Sequence, residues 1–424
     1  MKSVKIVFSF VLLTFVLNLA GCAGGGASSC PNGGTGSSGG TSSGSGGVQS
    51  SSPCPPPAGG GSGGSGGTGT TVAGGSSFAL VYAAGSSTVD AGGLTSKNVF
   101  GSLSPYTSPT LTGSGTDNML IVNKKFVYIP QSSSNFIEAF TINRATGGLT
   151  AVAGSPFKIT FPADTIASDP QGRFLFIGNE GGGDIASFQI NQTTGALTPS
   201  PNSPINSPTI FSADVFTVDG AGKYLYVGEQ DSGASALVHG FVIDQTTGSL
   251  TDIPGSPFAL GVATLHADPT GKYLLGIRGY VDLGGSSGDN NIYVFAINSS
   301  TGFPTPVTGS PFPMNGAANE FAVHPNGKFV YTMDVATGST AAPLEGFQMD
   351  QTTGVLTPLT GSPFAALPGA AQCMFEQTGV AMFCSKTYFG SDFEVFNVDP
   401  NSGAISHTVP DLSLGSNTPF AVTD

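Results

Sequence analysis

Ile137-Glu-Ala-Phe-Thr-Ile-Asn-Arg-Ala-Thr-Gly147 is one copy of a motif that sets the architecture of this chain. It returns at Ile185–Gly195, Val238–Gly248, Ile292–Gly302 and Leu344–Gly354, and with Ser-Gly in place of Thr-Gly at Phe393–Gly403. The closing glycines lie 48 to 54 residues apart, a period that belongs to propeller blades. Each copy alternates apolar and polar residues and then turns. This predicts a β-hairpin whose glycine sits at positive φ.

Working outward, four copies run on into Gly-Ser-Pro-Phe, at Gly154–Phe157, Gly255–Phe258, Gly309–Phe312 and Gly361–Phe364. Proline cannot donate to a sheet, so it marks the exit from a blade; the Phe is expected to wedge between neighbouring blades. A second motif alternates with the first: Asp169-Pro-Gln-Gly-Arg-Phe-Leu-Phe-Ile177, Asp219–Val227, Asp268–Leu275 and His324–Tyr331. It reads as the hairpin joining a blade's first and second strands. Two hairpins per repeat make four strands, which is one blade.

Full repeats begin near residues 118, 164, 212, 263, 319 and 371. Phe78–Thr112 carries strands but lacks a first one, and Pro419-Phe-Ala-Val-Thr-Asp424 shares Phe-Ala-Val with Glu320–Pro325. The expected fold is therefore all-β: a seven-bladed β-propeller over residues 78–424, closed by its C-terminal strand. Closure removes exposed sheet edges. A self-contained ring is expected to be a monomer.

Ahead of the ring, Lys2 and Lys5 precede an apolar run, Ile6–Leu17, too short to span a bilayer and typical of a signal peptide. Leu19-Ala-Gly-Cys22 resembles a bacterial lipobox. Residues 1–21 are thus expected to be removed, and Cys22 to carry the lipid that ties the protein to a membrane. Ala23 after the cysteine is similar to lipoproteins of the outer membrane. An ordinary secretory signal with a chance cysteine is the alternative. Residues 22–77 are almost wholly Gly, Ser, Thr, Pro and Ala and are expected to form a disordered tether of on the order of 40 Å.

The net charge of −13 comes from 26 acids against 13 bases, which leaves no electrostatic footprint for nucleic acid. There is no dinucleotide fingerprint, phosphate loop or Gly-x-Ser-x-Gly elbow, and no cofactor is expected. Cys30 and Cys54 lie in the tether, where they could pair. Cys373 and Cys384 fall on adjacent strands, but the alternation places them on opposite faces, against a bridge.

First strands start and second strands end at the same face of a propeller. Their ends therefore ring one mouth of the central channel. Second-strand ends supply Gly85, Gln131, Asn179, Glu229, Arg278, Asp334 and Lys386, with Glu180 beside them; first-strand starts supply Asp117, Asp164, Asp214, Thr264, Asn319, Glu320 and Gln372. This predicts a polar, mostly acidic mouth with two fixed cations, able to orient a small molecule or meet a protein. Glu180 and Glu229 are candidate bases, Arg278 is a candidate oxyanion partner, and Asp117, Asp164, Asn179, Asp214, Glu320, Asp334, Gln372 and Lys386 are candidate ligand contacts. His266 lies in a first strand as a core or channel residue, and His324 replaces the turn aspartate. His239 and His407 sit in outer hairpin strands, so no histidine metal site is expected.

The Asp-Pro-x-Gly-Lys-Tyr-Leu-Tyr-Val and Phe-x-Ile-Asp-x-x-Thr-Gly-x-Leu signatures resemble the lactonase-type seven-bladed family. That family includes bacterial 6-phosphogluconolactonases and carboxymuconate cycloisomerases, so the resemblance implies lactone ring chemistry. Members often carry Pro-Arg-His before a first strand and Asn-Glu after a second. Asn179-Glu180 matches the latter. The stretches corresponding to Pro-Arg-His read Ala163-Asp164-Thr165 and Ala318-Asn319-Glu320. Two readings follow: an envelope-anchored propeller that binds a ligand at its mouth, or a lactone hydrolase or cycloisomerase working outside the cytoplasm.

Overall fold

The structure, a computed structural model, describes residues 70–72, 77–95, 99–116, 118–179, 182–207, 210, 213–229, 236–278, 289–316, 318–334, 344–364, 372–385, 392–407, 412–414 and 419–423. All lie in one compact unit, Ser62–Asp424. The signal peptide, Cys22, Cys30, Cys54 and residues 22–69 of the expected tether lie outside the described residues.

Every element described is a strand, and the strands form seven sheets. We number them as blades by chain order. Blade II illustrates the plan: Leu120–Val122, Phe126–Gln131, Phe136–Ile142 and Leu149–Ala151 pair in sequence, all antiparallel. Blades III to VII begin with Thr165–Ser168, Val215–Val218, Thr264–Ala267, Ala318–Val323 and Gln372–Phe375. Blade I takes its first strand from the C-terminus, with Phe420–Thr423 pairing antiparallel to Ser77–Ala84 through Leu80↔Thr423 to Ala83↔Phe420. The ring closes as the sequence predicts. Thr71–Val72 adds a parallel strand to the outer edge of blade I, so this blade starts before the boundary expected at residue 78.

The first strands touch one another in an unbroken circle of seven, blade VII meeting blade I and blade I meeting blade II. They are therefore innermost and wall the channel. Each of the seven apolar clusters is shared by two consecutive blades. Phe258 and Phe312 of the exit motif are buried in two of them, the wedge that the sequence suggests. The exit serine has a role of its own. Its Oγ accepts the backbone N–H of a third-strand residue, at Ser155–Ala139, Ser203–Ser187, Ser256–Gly240, Ser310–Val294 and Ser362–Gly346.

The turn motifs explain themselves chemically. Gly302 has φ of 76°, and a Cβ there would meet the ring of Tyr224 in the preceding blade at 2.6 Å, so both the dihedral and the close approach require glycine. Asp219 Oδ1 accepts the N–H groups of Lys223 and Tyr224, which locks the Asp-x-x-Gly turn. His324 does the equivalent work in blade VI: its Nδ1 accepts from Asn326, and Nε2 meets the Gly379 carbonyl of blade VII. It is buried, not a surface residue.

The second-strand tyrosines reach across the blade gap. Tyr82, Tyr128, Tyr226 and Tyr331 donate to the carbonyls of Gly147, Gly195, Gly302 and Gly403 in the following blade, at 2.7–2.8 Å. Blade III has Phe176 at that position, and Ser187 makes the bond to Gly248 instead.

One expectation is corrected. Cys373 and Cys384 are direct partners in register, so their side chains share a face. They form a disulfide with Cα atoms 4.1 Å apart. Paired residues of an antiparallel ladder always point the same way, and a register slip of one residue reverses that.

Removing one tyrosine hydroxyl leaves a buried glycine carbonyl without its donor. Tyr226→Phe should therefore lower unfolding stability by about 1–3 kcal/mol in urea denaturation. An unchanged midpoint would show that the bond carries no net stability.

Candidate functional site

The innermost strands supply the channel wall. Their partly exposed residues are mainly apolar, including Ile121, Val215, Phe216, Val323, Met374 and Val422. Apart from Ser168 of blade III, the polar exceptions in these strands gather where blades V, VI and VII meet. There His266 Nε2 lies 3.0 Å from Glu320 Oε1. Both side chains are open, at 43% and 23%.

Local structure places this pair. Ala318 pairs with Asp334 but Glu320 pairs with Met333, so Asn319 is an extra residue in the first strand of blade VI. Such a bulge re-aims the side chain that follows it. Glu320 Oε1 also accepts the Phe321 N–H. The buried Phe321 ring meets the His266 imidazole edge-on at 4.8 Å. His266 is thus gripped by a carboxylate and an aromatic ring. The pair borders a cavity of about 420 Å³ that is also lined by Gln372, Cys373, Met374 and Val323. That volume is of the size that holds a small ligand.

The other expected mouth residues divide. Asp164, Asn179 and Asp214 are partly exposed where blades III and IV meet; Asn179 accepts the Ala213 N–H through its carbonyl, and Asp214 accepts the Thr165 hydroxyl through its own. Asp334 ends its strand opposite Ala318. Asp117, Glu180 and Lys386 lie outside the described residues.

Glu229 is not open at the mouth. It is buried, 3.1 Å from the equally buried His239 Nε2. Arg278 is engaged as well. Its Nε donates to the Gly261 carbonyl, Nη1 lies 3.3 Å from Asp289, and the guanidinium stacks on Tyr293 at 4.7 Å. The Tyr293 hydroxyl donates to the same Asp289 carboxylate. Burial, with the Asp289 bond, pushes that phenol up to about 12. Of the expected acidic mouth with two fixed cations, the described part thus keeps Asp164 and Asp214 partly exposed, buries Glu229, engages Arg278, and adds a His–Glu pair on a chiefly apolar wall.

Sequence reasoning placed His266 in a first strand and Glu320 at the mouth without joining them. Their separation of about one repeat was the available signal. It also missed buried acids that hold connections between blades. Glu138 accepts the Thr112 and Gly113 N–H groups, and Glu345 accepts that of Asn315. No cluster of three or more metal-binding side chains occurs among the described residues.

Burial holds the His239 pKa below its usual 6.5 against the opposing pull of Glu229. The unfolded chain then binds the proton more readily than the folded one, so stability rises with pH through this window. Acidifying from about pH 7 to about pH 5 should lower the melting temperature, and His239→Gln should shrink that fall. An equal fall in the variant would assign it to other groups.

Comparison with known proteins agrees with the fold. The family described as Lactonase, 7-bladed beta-propeller matches residues 90–213. No curated protein matches the chain in sequence. Among solved structures, a candidate 6-phosphogluconolactonase from Bacteroides fragilis superposes with a TM-score of 0.62 at 16% identity, covering 82% of this chain and 98% of its own. A periplasmic gluconolactonase of Pseudomonas aeruginosa gives 0.60 at 14%, covering 81% and 98%. A protein from Lactobacillus plantarum gives 0.59 at 15%, covering 82% and 99%. The closed ring of seven blades and these superpositions establish a seven-bladed β-propeller, and the family match over residues 90–213 makes that stretch similar to the lactonase-type propellers.

Proposed function

We propose that the protein opens a lactone in its central channel, with His266 as base and Glu320 as its positioning partner. One observation carries the reading: the 3.0 Å contact between these side chains on the wall of an open cavity. With Nε2–H donating to the carboxylate, Nδ1 holds the lone pair. It takes a proton from water as the water oxygen attacks the lactone carbonyl carbon. The tetrahedral intermediate then breaks the ring C–O bond, and the proton passes from His266 to the departing oxygen. The product is the open hydroxy acid. The family match supports this chemistry.

A second reading, ligand binding without turnover, is favoured by Arg278. A hydrolase would aim that cation at the developing oxyanion, yet Asp289 and the Gly261 carbonyl already engage it. Turnover of a panel of sugar and alkyl lactones by the purified protein separates the two. In the hydrolytic reading, His266→Gln and Glu320→Gln each lower kcat roughly a hundredfold or more at unchanged melting temperature. No turnover on any lactone leaves binding as the function.

We place this activity outside the cytoplasm, at a membrane surface reached through lipid on Cys22. The support is the lipobox and the polar tether that follows it. Cys22→Ser should lose labelling by radioactive fatty acid and move to the soluble fraction. Retention in the membrane fraction would overturn the anchor.

A further inference from the structure

We infer that the ligand of this channel site is an uncharged lactone bearing an apolar arm, held with its ring toward the mouth. The inference rests on the lactone reading of the site and adds the substrate class. The cavity runs along the first strands of blades VI and VII and meets blade V at His266 and Pro269. Glu320 and Gln372 sit toward the mouth, each four residues before the turn of its blade, and His266 lies deeper, two before its turn and level with Met374. Beyond His266 and Met374, toward the opposite face, the lining becomes Val323, Phe375 and the turn prolines Pro269 and Pro325.

A ligand matching this wall has hydrogen-bonding oxygens at one end and hydrocarbon at the other. Charge narrows the class further. No Lys or Arg lines the cavity among the described residues. Among the described lining residues, a phosphate or carboxylate on the ligand would face the Glu320 carboxylate with only His266 to offset it, and unpaired charge in an apolar cavity is strongly disfavoured. A polyol would strand its hydroxyls against Met374 and Val323. The Cys373–Cys384 bridge ties the first strand of blade VII to the second, which fixes the Met374 side of the wall.

Calorimetric titration of the full-length protein tests this. The probes are γ-lactones whose alkyl arm grows from methyl to octyl, their non-hydrolysable lactam counterparts, gluconolactone and a phosphorylated sugar lactone. Affinity should rise roughly fourfold per methylene until the arm fills the cavity, and the phosphorylated lactone should bind weakest. Val323→Gln should flatten the dependence on arm length; Met374→Gln serves if that variant folds poorly. Affinity independent of arm length, or tightest for the phosphorylated lactone, overturns the inference. Arm-dependent binding of lactones and lactams with no lactone turnover leaves the inference standing and sinks the hydrolytic reading. Turnover of gluconolactone without arm dependence does the reverse.

Discussion

A single blade has two apolar faces and cannot cover either by itself, so the structure depends on contact between consecutive blades. The hydrogen bond from a second-strand tyrosine to the turn glycine of the next blade shows how that contact is made specific. The phenol ring fills the gap between sheets while its hydroxyl satisfies a carbonyl that the turn would otherwise bury unpaired. The partner must be glycine at positive φ to bring that carbonyl close. Repeated around a circle, such contacts hold only if the last blade meets the first. The pairing of Phe420–Thr423 with Leu80–Ala83 secures this: Phe420 enters the apolar cluster shared by blades VII and I and meets Phe393 edge-to-face.

Closure also determines where chemistry can sit. The outer strands of each blade form hairpins whose turns carry asparagine, aspartate and threonine in self-satisfied loops, as where Asp244 Oδ1 accepts the Thr246 and Thr247 N–H groups. The innermost strands instead leave partly exposed side chains around a channel. A polar group there faces an apolar wall, so its interactions with neighbours are stronger than on an open surface. His266 and Glu320 meet in this setting. Glu229 and His239 form a chemically similar pair in blade IV, but both are buried between second and third strands, where no substrate reaches. The same two residue types serve structure in one blade and offer chemistry at the channel because the strands that carry them differ.

The repeat period, the hairpin turns, the blade count and the C-terminal closing strand were all legible in the sequence. Each depends on local rules: glycine supplies positive φ, proline ends pairing, and alternation marks strands. The spacing of the turn glycines gave six repeats, and Phe78–Thr112 with the C-terminal strand supplied the seventh. What the tertiary structure decided are relations between residues on different strands or blades. The bulge at Asn319 turns Glu320 toward His266, 54 positions away. Register sets Cys373 opposite Cys384, where alternation counted along the chain put them on opposite faces. Packing of neighbouring strands hides Glu229 and engages Arg278, although both stand at second-strand ends where position alone predicted an open mouth. Local pattern specifies which way a backbone turns; only the assembled ring specifies which side chains meet.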